Sequence, residues 1–514
     1  MKIKSYILLY VPVFLFFIGL PFSFKVTAQE VRKGSVVQKF KMTTEIPQSI
    51  TTPDSVSTSI GTLRFFDGFP DSATASKVYD NLDFQRGVQS YLTALPAAAS
   101  YAMREGYLSF GPANQTLLIS ESMLDSRSMF SMNNAEVIYN LAWFDIKDGP
   151  LVIEIPPNVL GYINDFWSRY VGDVGRTGKD HGEGGKYLLL PPGYAGEVPD
   201  GYHVLSSRTH GNSILFRGFV VNNDRRPAIE NTKKYFKVYP LDLASNPPAI
   251  NFVNISGKTF HNLPASDFTF FEQVFAVVQE EPLEAVDPET RGLLASIGIQ
   301  KNKPFAPDAR MKDILADATA VGNATARTIT FSTRDSEAFY YPDQTWKMGW
   351  VGNDPEFQPG GVLNLDARTL YFYATQGVSP AMAVKMVGVG SQYATTEHDI
   401  TGEYLDGAKN YSLRLPPNIP VKEFWSLTVY DPQTRSMLQT DQQYPEVSSQ
   451  NKDITINPDT SVDVYFGPKP PPGKEANWIQ TIPGKGWLVT LRLYGPLDAW
   501  FDKAWRPGEI EPVK

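Results

Sequence analysis

Two spacings of apolar residues divide the chain. Short stretches at 116–119, 137–146, 151–155, 187–190, 202–206 and 214–221 are apolar or alternate apolar with polar, and Gly, Pro, Asn or Asp bounds them. Such stretches predict short strands with at least one buried face, in the rhythm of a sandwich or jelly roll. The texture returns at 411–415, 424–431, 462–466 and 487–494, the last with the clearest alternation. Elsewhere the spacing turns helical. Val78, Leu82, Val88, Leu92, Leu95 and Met103 lie on one helical face, and Pro96 predicts a break between two helices. Helical spacing also marks 267–281, 288–297, 306–334 and 366–376, with Ser266-Asp267 and Asp287-Pro288 as helix starts.

The two β-rich stretches echo each other. Asp148-Gly149, Val152-Ile153-Glu154-Ile155, Pro156-Pro157-Asn158 and Phe166-Trp167-Ser168 return as Asp406-Gly407, Tyr411-Ser412-Leu413-Arg414-Leu415, Pro416-Pro417-Asn418 and Phe424-Trp425-Ser426. Pro191-Pro192-Gly193 answers Pro471-Pro472-Gly473, and Leu215-Phe216-Arg217 answers Leu491-Arg492-Leu493 within a residue of register. A repeat this long, with loops that change length, describes two related domains rather than a solenoid period. The expected fold is α+β and β-rich: two related jelly-roll-like β-sandwich domains with a helical connector, their strands superposing and Phe166 and Phe424 in equivalent core sites. The expected divisions are a signal peptide at 1–28, a mobile lead-in at 29–72, a helical lead with the first sandwich at 73–265, a helical connector with an aromatic loop at 266–365, and the second sandwich at 366–514.

Composition then sets the compartment. Lys2 and Lys4, an apolar stretch from Tyr6 to Leu20 and the small-residue site Val26-Thr27-Ala28 read as a secretory signal cut after Ala28, which predicts a periplasmic or extracellular protein without stable membrane insertion. There is no cysteine, so an exported chain of this kind must be held by its core alone. Losing the three lysines of the signal takes the formal charge from −8 to −11, with no basic stripe. Nucleic acid is therefore not an expected partner, because phosphate neutralisation needs clustered Lys and Arg.

The run Asn133-Asn134-Ala135-Glu136-Val137-Ile138-Tyr139, with Ala142-Trp143-Phe144-Asp145 and Asp148-Gly149-Pro150, resembles the start of the bacterial domain-of-unknown-function family numbered 1254. Leu405-Asp406-Gly407, the run Phe424 to Asp431, Asn477-Trp478 and the run Leu491 to Pro496 are similar to its usual companion, the family numbered 1214. The resemblance implies two β-sandwich domains joined by helices behind a signal peptide, and it implies no established activity. Where the second family usually has Asp-Gly-Ser before a strand, this chain has Asp459-Thr460-Ser461, so that turn has no glycine for a positive φ.

Candidate chemistry is sparse. Gly377-Val378-Ser379-Pro380-Ala381 has the spacing of a nucleophile elbow, but Ser followed by Pro predicts a helix N-cap with Pro in the first turn. The five histidines, at 181, 203, 210, 261 and 398, form no HExxH or His-x-His pair, so neither a metal nor a cofactor is expected. The loop 179–185 has carboxylates that could hold a divalent ion, although a glycine-rich charged loop predicts a solvated turn. His398 beside Glu397 and Asp399 is the catalytic candidate, since neighbouring carboxylates tune an imidazole for proton transfer. Tyr341, Trp346, Trp350 and Tyr393 are the ligand-binding candidates, because rings among amides and acids grip sugars and flat apolar molecules. Arg217 and Arg492, each inside an apolar strand, need a carboxylate partner from the protein or from a ligand, and their matching places favour a structural role. Two functions follow: an exported protein binding a carbohydrate or apolar small molecule in a cleft between the β-domains, or a hydrolase or lyase using acidic residues and His398 as general acid/base. The absence of a complete triad, metal set or cofactor loop favours the binder.

Overall fold

The computed structural model describes residues 43–220 and 224–513. The signal-like segment and its Ala28 site lie outside the described residues. The chain forms two compact units that divide after Asp71. In the first unit, Ser55–Thr58, Gly61–Phe66 and Phe69–Pro70 form an antiparallel three-stranded sheet. These residues were expected in a mobile lead-in. Leu63 and Phe65, partly buried between exposed Thr62, Arg64 and Phe66, carry a short period-two pattern there, and the positive φ of Gly61 and Gly68 turns the chain.

The second unit contains both sandwiches. One sheet of the first has the order Asn251–Asn254, Thr116–Ile119, Val137–Asp145, Gly211–Phe219, Val159–Asp165, Tyr170–Gly175. The other has the order His203–Ser206, Gly185–Leu190, Leu151–Ile155, Lys237–Pro240. In the second sandwich the orders are Ser391–Thr396, Leu488–Pro496, Val421–Tyr430, Glu446–Ser448 and Trp478–Gln480, Val462–Gly467, Tyr411–Leu415, Ile510–Pro512. Counted along the chain from Val137 and from Ser391, each strand of one copy has the same neighbours as its counterpart. Even the parallel pairing of Gly185–Leu190 with His203–Ser206 recurs, between Val462–Gly467 and Trp478–Gln480. The first copy differs by two added edge strands, Thr116–Ile119 and Asn251–Asn254.

Register shows which echoes are structural. Asn158 and Asn418, which end the two Pro-Pro-Asn turns, both adopt left-handed φ, 57° and 60°. Arg217 lies opposite Tyr139 and Leu160, and Arg492 lies opposite Tyr393 and Ser426, so the two arginines occupy equivalent positions. The same register separates the two Phe-Trp-Ser runs. Phe166 falls just beyond Val159–Asp165, whereas Phe424 lies inside Val421–Tyr430, where the ladder is irregular between Val421 and Phe424. Phe166 and Phe424 are both buried, but their sites are not equivalent: Phe166 follows the position opposite Arg217, Leu160, by six residues, whereas Phe424 precedes the one opposite Arg492, Ser426, by two.

One helix spans Ser72–Leu108 with Pro96 inside it, in place of the two expected. Ala94 to Ser100 are fully buried, and the Ser168 hydroxyl donates to the Pro96 carbonyl at 3.2 Å, so packing holds the helix through the missing amide. Ala309–Phe331 crosses it closely. A Cβ on Gly87 would sit 2.7 Å from the Ala318 Cβ, and one on Gly322 would sit 2.7 Å from the Tyr91 ring. Thr269–Glu280, Pro288–Ser296 and Leu365–Ala374 complete the helical layer, and Asp287 caps the second of these by accepting from the Thr290 amide. The main apolar core joins this layer to one sheet of each sandwich, and each sandwich has its own interior. Among the described residues no helix is long and apolar enough to cross a membrane.

A candidate ligand cavity between the two sandwiches

The equivalent sheets face a common space that the helical layer also lines. Tyr139, Tyr162, Leu215 and Arg217 project from the first sheet, and Tyr393, Thr395, Thr490 and Arg492 from the second. Period-two alternation puts each set on one sheet face: Arg217 pairs with Tyr139 and Leu215 with Tyr162, while Arg492 pairs with Tyr393 and Thr490 with Thr395. Leu370, Tyr371 and Ala374, from Leu365–Ala374, form another wall. The space available to water centres is about 120 Å³, well above the ~10–15 Å³ that one water needs.

The aromatic segment 339–350 joins the second sandwich through main-chain bonds. The Lys347 amide donates to the Thr395 carbonyl at 2.8 Å, and the Thr395 amide donates back at 2.9 Å. This bridge brings Lys347, Met348 and Trp350 to the cavity wall and aims Trp346 the other way. Of the ligand-binding candidates, Trp350 and Tyr393 line the cavity, their ring centroids 6.0 Å apart. Trp346 is fully buried in the interior of the second sandwich, where its indole N–H donates to the Gly508 carbonyl at 2.8 Å. Tyr341 is also buried, and its hydroxyl donates to the Trp505 carbonyl at 3.1 Å.

The catalytic candidates divide too. Glu397 reaches the cavity and is paired with Lys347, whose ammonium also donates to the Thr330 carbonyl at 2.6 Å. His398 is outside the lining, stacked on Tyr404 at 4.5 Å with Nδ1 3.2 Å from the Glu397 carboxylate. Asp399 is buried in a turn, its Oδ1 accepting from the Thr401 amide at 2.8 Å and the Thr401 hydroxyl at 2.6 Å. Ser379 is a cap, accepting from the Ala381 amide at 3.0 Å and donating to Asp173 at 2.8 Å. Burial raises the Asp173 carboxyl to about 6. In the loop 179–185, Lys179, His181 and Glu183 are exposed as a solvated turn predicts, whereas Asp180 is buried, accepts from the Gly175 amide at 2.8 Å and is hydrogen-bonded by the Tyr187 hydroxyl. Among the described residues no group of three or more His, Asp or Glu side chains is placed to hold a metal ion.

The arginines give the cavity its electrostatic character. Among the described residues neither Arg217 nor Arg492 forms an ion pair. Arg217 is 7% exposed, its Nε is buried without a hydrogen-bond partner, and its Nη2 meets only the Met382 sulfur at 3.7 Å. Arg492 donates to Thr428 Oγ1 at 3.0 Å and the Met132 carbonyl at 2.6 Å. A third cavity arginine, Arg435, donates to the Tyr373 carbonyl at 3.1 Å and lies 4.5 Å from that ring's centroid. Burial raises the Tyr139, Tyr162 and Tyr371 phenols above their ordinary range, so these hydroxyls stay protonated and can donate. Tyr139, Tyr162, Lys347 and Arg435 were missed in the sequence: the two tyrosines sit inside apolar strand runs, Lys347 within the aromatic segment and Arg435 in the polar stretch 431–436.

The fold and cavity define a two-sandwich protein with a cavity between its two sandwiches. Residues 114–240 match the protein family of unknown function DUF1254, and residues 390–498 match the protein family of unknown function DUF1214. No curated protein matches the chain. Among solved structures it is similar to the VPA0106 protein from Vibrio parahaemolyticus, at 19% identity and a TM-score of 0.53, over 84% of this chain and 100% of that one. That likeness shows the shared fold. An uncharacterized protein from Burkholderia cenocepacia aligns at 12% identity and a TM-score of 0.39, over 86% of this chain and 97% of that one.

Proposed function

We propose that this is an exported protein that binds a small organic molecule in the cavity between its two sandwiches. The observation that carries this reading is the cavity itself: a mostly apolar space lined by aromatic rings, into which a few polar groups converge from two domains and a helical layer. The acid/base alternative has less support, since His398 and Asp399 stand outside the lining and Asp399 is engaged in its own turn.

A thermal-shift screen of the mature protein against oligosaccharides, lipids and small acids tests the reading. A ligand at 100 times its dissociation constant stabilises by about 2.7 kcal/mol. Ala374→Trp, which fills the cavity from the helix end, is expected to abolish the shift. A confirmed ligand that still binds this variant would place the site elsewhere. Export predicts a mature N-terminus at Gln29, and intact Met1 in the membrane fraction by mass spectrometry would count against it.

A further inference from the structure

We infer that the cavity's ligand is a small organic carboxylate, its charged end held by Arg217 and Arg492 and its body lying against Trp350 and Tyr371. The inference rests on the binding reading above and names the class of molecule.

The argument starts from charge. Of the ionisable side chains that reach the cavity, Lys347 and Glu397 neutralise each other. The remaining charges are Arg217, Arg435 and Arg492, and none of them has an ion-pair partner among the described residues. Guanidinium stays protonated under all ordinary conditions, so these are three positive charges lining one space. Arg492 is partly compensated from outside the lining. Glu446 and Glu136 lie side by side near it, and burial with the neighbouring Glu136 carboxyl pushes Glu446 well above the usual range. Arg217 has no such neighbour; its surroundings are the phenols of Tyr139, Tyr162, Tyr393 and Tyr494. A buried charge left unpaired is costly, and a chain that places one nine-tenths buried beside a cavity leaves its counter-charge to whatever enters.

Geometry narrows the anion. The two sandwiches deliver equivalent arginines, each beside a tyrosine of the neighbouring strand, from two sheets to one space. Planar guanidinium forks match the oxygens of a carboxylate, and protonated phenols add donors to the same group. Trp350 and Tyr371, at 4.5 Å between ring centroids, give the same cavity an apolar, aromatic surface. About 120 Å³ for water centres excludes a bulky polyanion. A compact aromatic or alicyclic acid fits these constraints.

The experiment uses matched pairs on the mature full-length protein: benzoate with benzamide, cinnamate with cinnamamide, cyclohexanecarboxylate with its amide, and chloride and sulfate as inorganic controls. Calorimetry is expected to show acids binding about 10- to 100-fold more tightly than amides, the factor for hydrogen bonds to a charged group. In Arg217→Met that ratio is expected to fall to about one, while the melting temperature of the ligand-free protein holds or rises because an unpaired buried charge has been removed. Arg217→Lys, which keeps charge without the fork, is expected to fall between. Equal binding of acids and amides, with Ala374→Trp blocking both, would leave the binding reading standing and overturn the carboxylate. Shifts from chloride or sulfate alone would overturn the organic ligand, and silence from every probe would count against both readings. A large loss of stability in ligand-free Arg217→Met would make the arginine structural and sink the inference.

Discussion

The buried Lys347–Glu397 pair offers the sharpest test of how this cavity is held open. Both side chains are nearly inaccessible, at 6% and 5% exposure, and the ammonium has a second acceptor in the Thr330 carbonyl. Glu397→Gln keeps the shape and removes the negative charge. Breaking one partner of a buried pair typically costs about 3–5 kcal/mol. Because Lys347 keeps Thr330 and the new amide oxygen can still accept, the expected loss is about 3 kcal/mol, near the lower end of that range. Lys347→Met should cost a similar amount, since it leaves the carboxylate with only His398 beside it. The double variant Lys347→Met/Glu397→Gln removes both charges and is expected to lose well under the sum of the two single losses. The coupling between the two sites should then exceed about 2 kcal/mol. Urea unfolding followed by tryptophan fluorescence, with the m-value checked for constancy, measures all three variants. A Glu397→Gln variant as stable as wild type, or two additive single losses, would refute the reasoning. In that event a loss of ligand binding would make Glu397 a ligand contact instead.

Glu281 offers a pH test: its carboxylate accepts from the His210 amide at 2.5 Å and the Gly211 amide at 2.8 Å, and burial raises it from 4.5 to about 7. Between those values the folded chain holds a proton that the unfolded chain has released, so stability should fall as pH rises from about 4.5 to about 7, by up to roughly 3 kcal/mol, and Glu281→Gln should flatten this slope in melts across that range. Trp346→Ala should cost about 3–5 kcal/mol in denaturant unfolding and leave affinity for any confirmed ligand unchanged, because the ring packs inside the second sandwich. Thr460 sits at φ 67° where a glycine would relax, so Thr460→Gly should stabilise by about 1 kcal/mol in the same unfolding experiment.

The repeated strands, turns and composition were legible along the chain because strand pairing follows local alternation, and Pro-Pro-Asn turns carry their own backbone chemistry. The sheet orders of the two copies agree accordingly. Helix starts such as Asp287 and Ser379 were also local, since a cap bonds only its own first turn. What failed depended on contacts far apart in sequence. Pro96 did not end its helix, because buried packing outweighed one lost amide bond. The Phe-Trp-Ser echo concealed a change of register that only the ladder partners reveal. The aromatic run 339–350 read as one feature, yet its bridge to Thr395 sends Trp350 to the cavity and Trp346 to the core. Arg217 and Arg492 were visible as a matched pair. That no carboxylate meets Arg217, and that both arginines face one cavity, was decided by the docking of two sheets, because the electrostatics of a buried charge depend on everything packed around it.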